Sequence, residues 1–141
     1  MSSSLIVVAA VLIVALGVAY VIGRLLTLRA GLMRATSEDA ADVDTSDLGL
    51  SATGPTVVHF SAVWCGPCAG VRRVVDQVCA DLPEVAHVEI DMDANPGAAR
   101  RLSVLSLPTT FIFDADGKQR YRAAGVPTAA DLRTALEPLL A

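Results

Sequence analysis

The chain is 141 residues long with a formal charge of −4, divided as +3 over residues 1–35 and −7 beyond. That balance argues against nucleic acid as a partner. Three cysteines leave at least one thiol outside any internal pair, and much of the overall apolar content sits at the amino end.

Leu5 to Gly23 is an uncharged run rich in Val, Leu, Ile and Ala. As a helix, these residues span about 28 Å, close to the hydrocarbon thickness of a bilayer. The rival is a cleaved signal peptide, which carries a basic leader and a shorter apolar region. Met1-Ser2-Ser3-Ser4 has no basic residue, the apolar segment continues through Leu25-Leu26, and Gly17-Val18-Ala19 is a poor cleavage site. Residues 5–23 therefore read as a single-pass membrane anchor. Arg24, Arg29 and Arg34 follow the run and no basic residue precedes it, so the positive-inside bias puts the rest of the chain on the cytoplasmic side. The extracytoplasmic face is the alternative.

Three regions follow from composition. Residues 1–35 are the transmembrane anchor and its basic flank. Residues 36–54 hold Glu38, Asp39, Asp42, Asp44 and Asp47 with no basic residue, and read as an acidic, solvated tether with room for a short strand near Leu48-Gly49-Leu50. Residues 55–141 are a folded domain.

Within that domain strand-like and helix-like segments alternate. Thr56 to Ser61 reads as a buried strand, Pro67 to Asp81 as a helix, Ala86 to Asp91 as a strand and Gly97 to Leu102 as a short helix. Thr109 to Asp114 and Gln119 to Ala123 read as strands joined by the turn Asp114-Ala115-Asp116-Gly117. Thr128 to Leu140 is a helix capped by Thr128, with Leu132, Leu136 and Leu139-Leu140 at helical spacing. The pattern implies an α/β fold around a mixed sheet flanked by helices.

Trp64-Cys65-Gly66-Pro67-Cys68 places two thiols one turn apart where a strand gives way to a helix. A dithiol at that spacing can close into a disulfide, and reopen by exchange with another. Cys65 at the head of the helix is favoured as a thiolate by unpaired N–H groups and the helix dipole. Pro67 suits the first turn because it lacks an N–H, and Gly66 leaves the approach to Cys65 open. Cys65 is the expected nucleophile and Cys68 the resolving thiol. Zinc is the competing reading of the pair, but a structural zinc site draws on four ligands, and Cys79, His59 and His87 stand at no recognisable metal spacing. No metal and no cofactor is expected. Cys79, flanked by Val75, Val78 and Leu82, reads as a small buried hydrophobe.

The pentapeptide resembles the thioredoxin family signature letter for letter, and the resemblance covers roughly residues 54–141. Asp91-Met92-Asp93-Ala94-Asn95-Pro96 is similar to the family's segment leading into its short third helix. Leu107-Pro108-Thr109 stands where the family has its cis-proline opposite the cysteines, and Gly125 where a glycine lines the same groove. The resemblance implies a thioredoxin fold, a redox disulfide Cys65–Cys68, and a substrate groove formed by Trp64, Gly66, Pro67, Leu107, Pro108 and Gly125. It also implies a membrane-anchored thiol–disulfide oxidoreductase that reduces protein disulfides. Its electrons would come from a thioredoxin-reductase-like flavoenzyme, or from a transmembrane thiol relay if the domain faces outward. The alternative is a membrane-tethered binding module whose groove holds a partner protein and whose redox activity is incidental.

Two departures stand out. His59 occupies the place of the family's buried aspartate, and Glu89 that of the accompanying lysine, which suggests an inverted pair: His59 as proton acceptor for Cys68, oriented by Glu89. A neutral, packed core histidine is the plainer alternative. His87, two residues before Glu89, is expected at a solvated surface. The chain also lacks room for most of the family's first strand and helix.

Overall fold

A computed structural model describes residues 2–36 and 43–141. They fall into two compact units, one ending at Ala30 and the other running from Gly31 to Ala141. The first is a single helix, α1 (Ser2–Arg29), about 42 Å long at helical rise. Its apolar side chains are exposed on all sides, as in Leu5, Ile13, Leu16 and Leu26, so it has no face that packs within its own unit. By length and composition the helix is able to cross a bilayer.

The second unit is built on one mixed sheet. Its strands are β1 (Arg34–Ala35), β2 (Thr56–Ser61), β3 (Ala86–Asp91), β4 (Thr109–Phe113) and β5 (Gln119–Ala124). They lie in the order β1-β5-β4-β2-β3, with β2–β3 parallel and the other pairings antiparallel. The helices are α2 (Cys68–Asp81), α3 (Pro96–Arg101) and α4 (Ala129–Leu140). Every β2 residue is buried, as a strand covered on both faces requires. Side-chain alternation then makes two cores. Val58, Phe60, Phe111 and Phe113 pack with Ala98, Ala99 and Leu102 on one face. Val57 and Ile112 pack with Val71, Val75 and Val78 of α2 and with Leu132 and Leu136 of α4 on the other. Burying each large apolar side chain supplies about 1.5–3 kcal/mol, against the entropy of ordering it.

The elements agree with the sequence expectation to within a residue or two. α2 starts at Cys68, with Pro67 as its N-cap at φ −65° and ψ −17°. The Thr128 hydroxyl accepts from Asp131 N–H at 3.1 Å, capping α4.

The region before β2 differs from the expectation. Arg34–Ala35, assigned by composition to the basic flank of the anchor, pairs with Tyr121–Arg122 as an edge strand. Residues 43–54 are not a solvated tether. Leu48 is 2% exposed and belongs to the same core as Phe60 and Phe111, with Val43 and Leu50 packed against that core. The acidic character that suggested a tether is used for docking: Asp47 pairs with Arg101, whose Nε also donates to Asp44 O at 3.3 Å. No strand forms at Leu48-Gly49-Leu50. Glu38, Asp39 and Asp42 lie outside the described residues. Among the described residues nothing extends the sheet beyond β3.

Candidate active site

The pairing register brings three loops to one end of the sheet. Thr109 at the start of β4 pairs with Phe60 near the end of β2 and with Ala124 at the end of β5. Residues 62–67, 105–108 and 125–127 therefore leave the sheet side by side. The end of β3 joins them, because Met92 N–H donates to Ser61 O at 2.9 Å.

Cys65 and Cys68 form a disulfide with Cα atoms 5.5 Å apart. Cys65 is partly exposed, whereas Cys68 is 2% exposed and its sulfur faces Phe60 O at 3.9 Å. One sulfur is reachable and the other sits against the central strand. The turn is held by Cys65 N–H to Ala62 O and Cys68 N–H to Cys65 O, at 3.0 and 3.3 Å. A methyl at Gly66 would meet nothing, so that side of the turn is open.

The surroundings are apolar and exposed. Val63 and Leu105 are 95% and 92% exposed, Trp64 is 65% and Val126 is 38%. Leu107–Pro108 is a cis peptide bond and Pro108 is buried. Pro108 O accepts from Gly125 N–H at 2.9 Å, which ties the loops before β4 and after β5 together. Gly125 does this at φ +88°, a conformation that favours glycine. Trp64 Nε1 donates to Asp93 Oδ2 at 3.0 Å. The structure thus sets Trp64, Gly66, Pro67, Leu107, Pro108 and Gly125 on loops at the disulfide end. Val63, Leu105 and Val126, which the sequence reading missed, share that apolar surface. Their signal was faint, since a single apolar residue in a loop is common.

A chain of polar side chains runs from α2 across β3 to His59 of β2. His59 is fully buried on β2, in register with Glu89 of β3 and Thr110 of β4. Its Nε2 is 3.5 Å from Glu89 Oε1 and has no hydrogen-bond partner among the described residues. Burial is the main cause that holds the His59 pKa down to about 4, with Glu89 opposing it and His87 and Arg72 reinforcing it. Glu89 is pulled down to about 2, chiefly by Arg72, whose Nε donates to Oε2 at 2.8 Å, with burial opposing. The structure therefore brings His59 and Glu89 together, with the carboxylate committed to Arg72.

His87 departs from expectation. It is not a solvated surface residue: its side chain is 18% exposed, its Nε2 lies 2.9 Å from His59 Nδ1, and its Nδ1 lies 3.0 Å from Asp76 Oδ1. The reason is register. His87 and Glu89 are two apart on β3 and share the face that α2 covers, so Asp76 and Arg72, four apart on α2, meet them. Cys79 is partly buried, and burial first and Asp76 second push its thiol pKa up. No cluster with metal-binding character occurs among the described residues.

A dithiol at a strand–helix junction on this mixed sheet defines a thiol–disulfide oxidoreductase. The thioredoxin family model matches residues 43–138. The chain is 37% identical over 112 residues to a thioredoxin of Mycolicibacterium smegmatis, covering 74% of this chain and 99% of that one. It is 39% identical over 75 residues to a thioredoxin of Chlamydia trachomatis, covering 53% and 72%. Among solved structures, chloroplastic thioredoxin z superposes with a TM-score of 0.57 at 33% identity over 62% of this chain and 80% of that one. Mitochondrial thioredoxin 3 of Saccharomyces cerevisiae, in its oxidized form, gives 0.54 at 27% identity over 60% and 78%. The chain belongs to the thioredoxin family.

Proposed function

We propose that this protein is a membrane-anchored disulfide reductase, in which Cys65 attacks a disulfide of a protein substrate and Cys68 resolves the mixed disulfide. The observation that carries this reading is the unequal exposure of the pair: a reachable sulfur at the head of α2 and a buried one against β2. In the dithiol form the Cys65 thiolate adds to one substrate sulfur and the other leaves as a thiolate. Cys68 then loses its proton to His59 Nε2 and attacks the Cys65 sulfur. The Cys65–Cys68 bond forms, the bond to substrate breaks, and the second substrate thiolate takes up a proton. Two electrons pass from protein to substrate, and a reductase of the flavoenzyme type returns them. His59 is suited to the proton step because its Nε2 is unpartnered and its residue directly precedes Phe60, whose carbonyl the Cys68 sulfur faces. The apolar surface of Val63, Trp64, Leu105 and Val126 supplies area for an extended substrate segment.

Residues 5–23 within α1 form the anchor in this reading, and the positive-inside bias of Arg24, Arg29 and Arg34 supports a catalytic domain that faces the cytoplasm. Insulin reduction by the full chain in detergent micelles tests the chemistry, and Cys68→Ser should accumulate substrate linked through Cys65. Absence of both turnover and trapped species rejects the reading. An impermeant thiol reagent applied to intact cells tests orientation, and labelling of Cys65 there reverses the assigned side.

A further inference from the structure

We propose that His87 and Asp76 complete a two-imidazole relay, in which the proton that His59 takes from Cys68 moves through His87 to the solvent-facing edge of α2. The inference rests on the proposed resolving step, and adds residues that the dithiol chemistry alone does not call for.

Hydrogen-bond accounting sets the direction. An ionised carboxylate only accepts, so Asp76 Oδ1, 3.0 Å from His87 Nδ1, requires the proton on that nitrogen. In a neutral imidazole the other nitrogen is then a lone pair. His87 Nε2, 2.9 Å from His59 Nδ1, must therefore accept, and His59 carries its own proton on Nδ1. That leaves His59 Nε2 as a lone pair, and it is the nitrogen that makes no hydrogen bond. A surface carboxylate thus selects, through two rings, the tautomer that leaves the buried His59 Nε2 free to act as a base.

The same chain solves a charge problem. An imidazolium at His59 is fully enclosed, and burial disfavours it. When Nε2 takes the Cys68 proton, the Nδ1 proton can pass to His87 Nε2. His59 is then neutral again, with its new N–H directed toward Glu89 Oε1 at 3.5 Å, and the positive charge rests on His87 against Asp76. His87 is 18% exposed and Asp76 62%, so the charge ends near water, where the extra proton leaves. The ionisable groups set against the two rings are Glu89 of β3 and Asp76 of α2, with Arg72 of α2 held on Glu89 and Cys79 of α2 beside Asp76. Arg72 is committed to Glu89, and Cys79 is held as a thiol, so neither competes for the relayed proton.

Stopped-flow single turnover of the reduced full chain in detergent micelles, with an aromatic disulfide as probe, separates the steps: Cys65 attack releases one coloured thiolate and Cys68 resolution the second. His87→Gln keeps polarity but cannot carry the proton, and Asp76→Asn removes the carboxylate from an exposed site. The expected result is an unchanged first phase and a second phase slowed about tenfold by His87→Gln, at the low end of general acid–base effects, with a smaller slowing by Asp76→Asn. The second-phase pH profile should shift to higher pH in both. Nitrogen-15 spectra of the wild-type chain at neutral pH should show both rings protonated on Nδ1. A His59 ring protonated on Nε2 in that state, or an unchanged second phase and pH profile in His87→Gln, overturns the relay. If His59→Ala also leaves the second phase intact, the role of His59 fails with it. Absence of both phases in the wild type fails the reductase reading itself.

Discussion

Trp64 and Asp93 are joined side chain to side chain, the indole Nε1 donating to the carboxylate at 3.0 Å across 29 residues of sequence. The bond fixes the most exposed aromatic ring beside the disulfide to the loop after β3. Because the chain has a single tryptophan, its fluorescence reports on this one site. Asp93→Ala should lower the emission anisotropy and raise the KM for a protein disulfide severalfold. The stability cost should stay near 1 kcal/mol, since the bond is exposed and exchanges with water. Unchanged anisotropy in the variant would show that the indole is held by something else.

Acid sensitivity should come first from His59. Its folded pKa of about 4 lies below the ordinary 6.5, so the unfolded chain binds the extra proton between those values. The associated stability is complete above pH 6.5 and is lost as pH falls toward 4, by about 3 kcal/mol. Denaturant midpoints measured across this range should fall steeply in the wild type and more gently in His59→Leu. Parallel slopes would rule the histidine out as the source.

A second window belongs to Glu89. Its pKa is depressed from 4.5 to about 2 by Arg72, so its contribution is present above 4.5 and disappears as pH drops toward 2. Arg72→Ala should flatten the stability curve over that lower range and leave the window between 6.5 and 4 in place. Thermal melts from pH 2 to pH 5 measure this. An Arg72→Ala curve parallel to wild type there would count against the pairing.

Leu48 tests where the folded domain begins. Truncating a fully buried leucine costs about 2–5 kcal/mol. Leu48→Ala should therefore shift the denaturant midpoint of the catalytic domain strongly, although the residue precedes β2 and lies far from Cys65 in sequence. A shift no larger than that of an exposed substitution such as Leu105→Ala would return residues 43–54 to the status of a linker.

Much of the fold was legible because its cues are local. Buried β2 is a short apolar run, α4 has its leucine spacing and threonine cap, and the dithiol sits at their expected junction with α2. Glu89 could be placed beside His59 only through the family resemblance, since it stands where the family carries the lysine that accompanies its buried aspartate. His87 could not, because its surroundings depend on which α2 residues the strand face meets, and a histidine between Ala86 and Val88 carries no sign of that. Composition misread residues 43–54 because, over 36–54 as a whole, five acidic side chains outweigh Val43, Leu48 and Leu50, whereas in the fold Asp47 holds Arg101 and Leu48 fills the core. β1 is two residues long, too short for any period to show.

The third cysteine bears on how this protein ages under oxidants. A spare thiol in a disulfide-exchanging molecule invites scrambling, in which the wrong sulfur closes onto the active pair. Enclosure and the Asp76 carboxylate keep Cys79 protonated, and a protonated thiol is a poor attacker. Mild peroxide or alkylating stress should therefore be spent on Cys65, and cycles of catalysis should leave Cys79 chemically untouched.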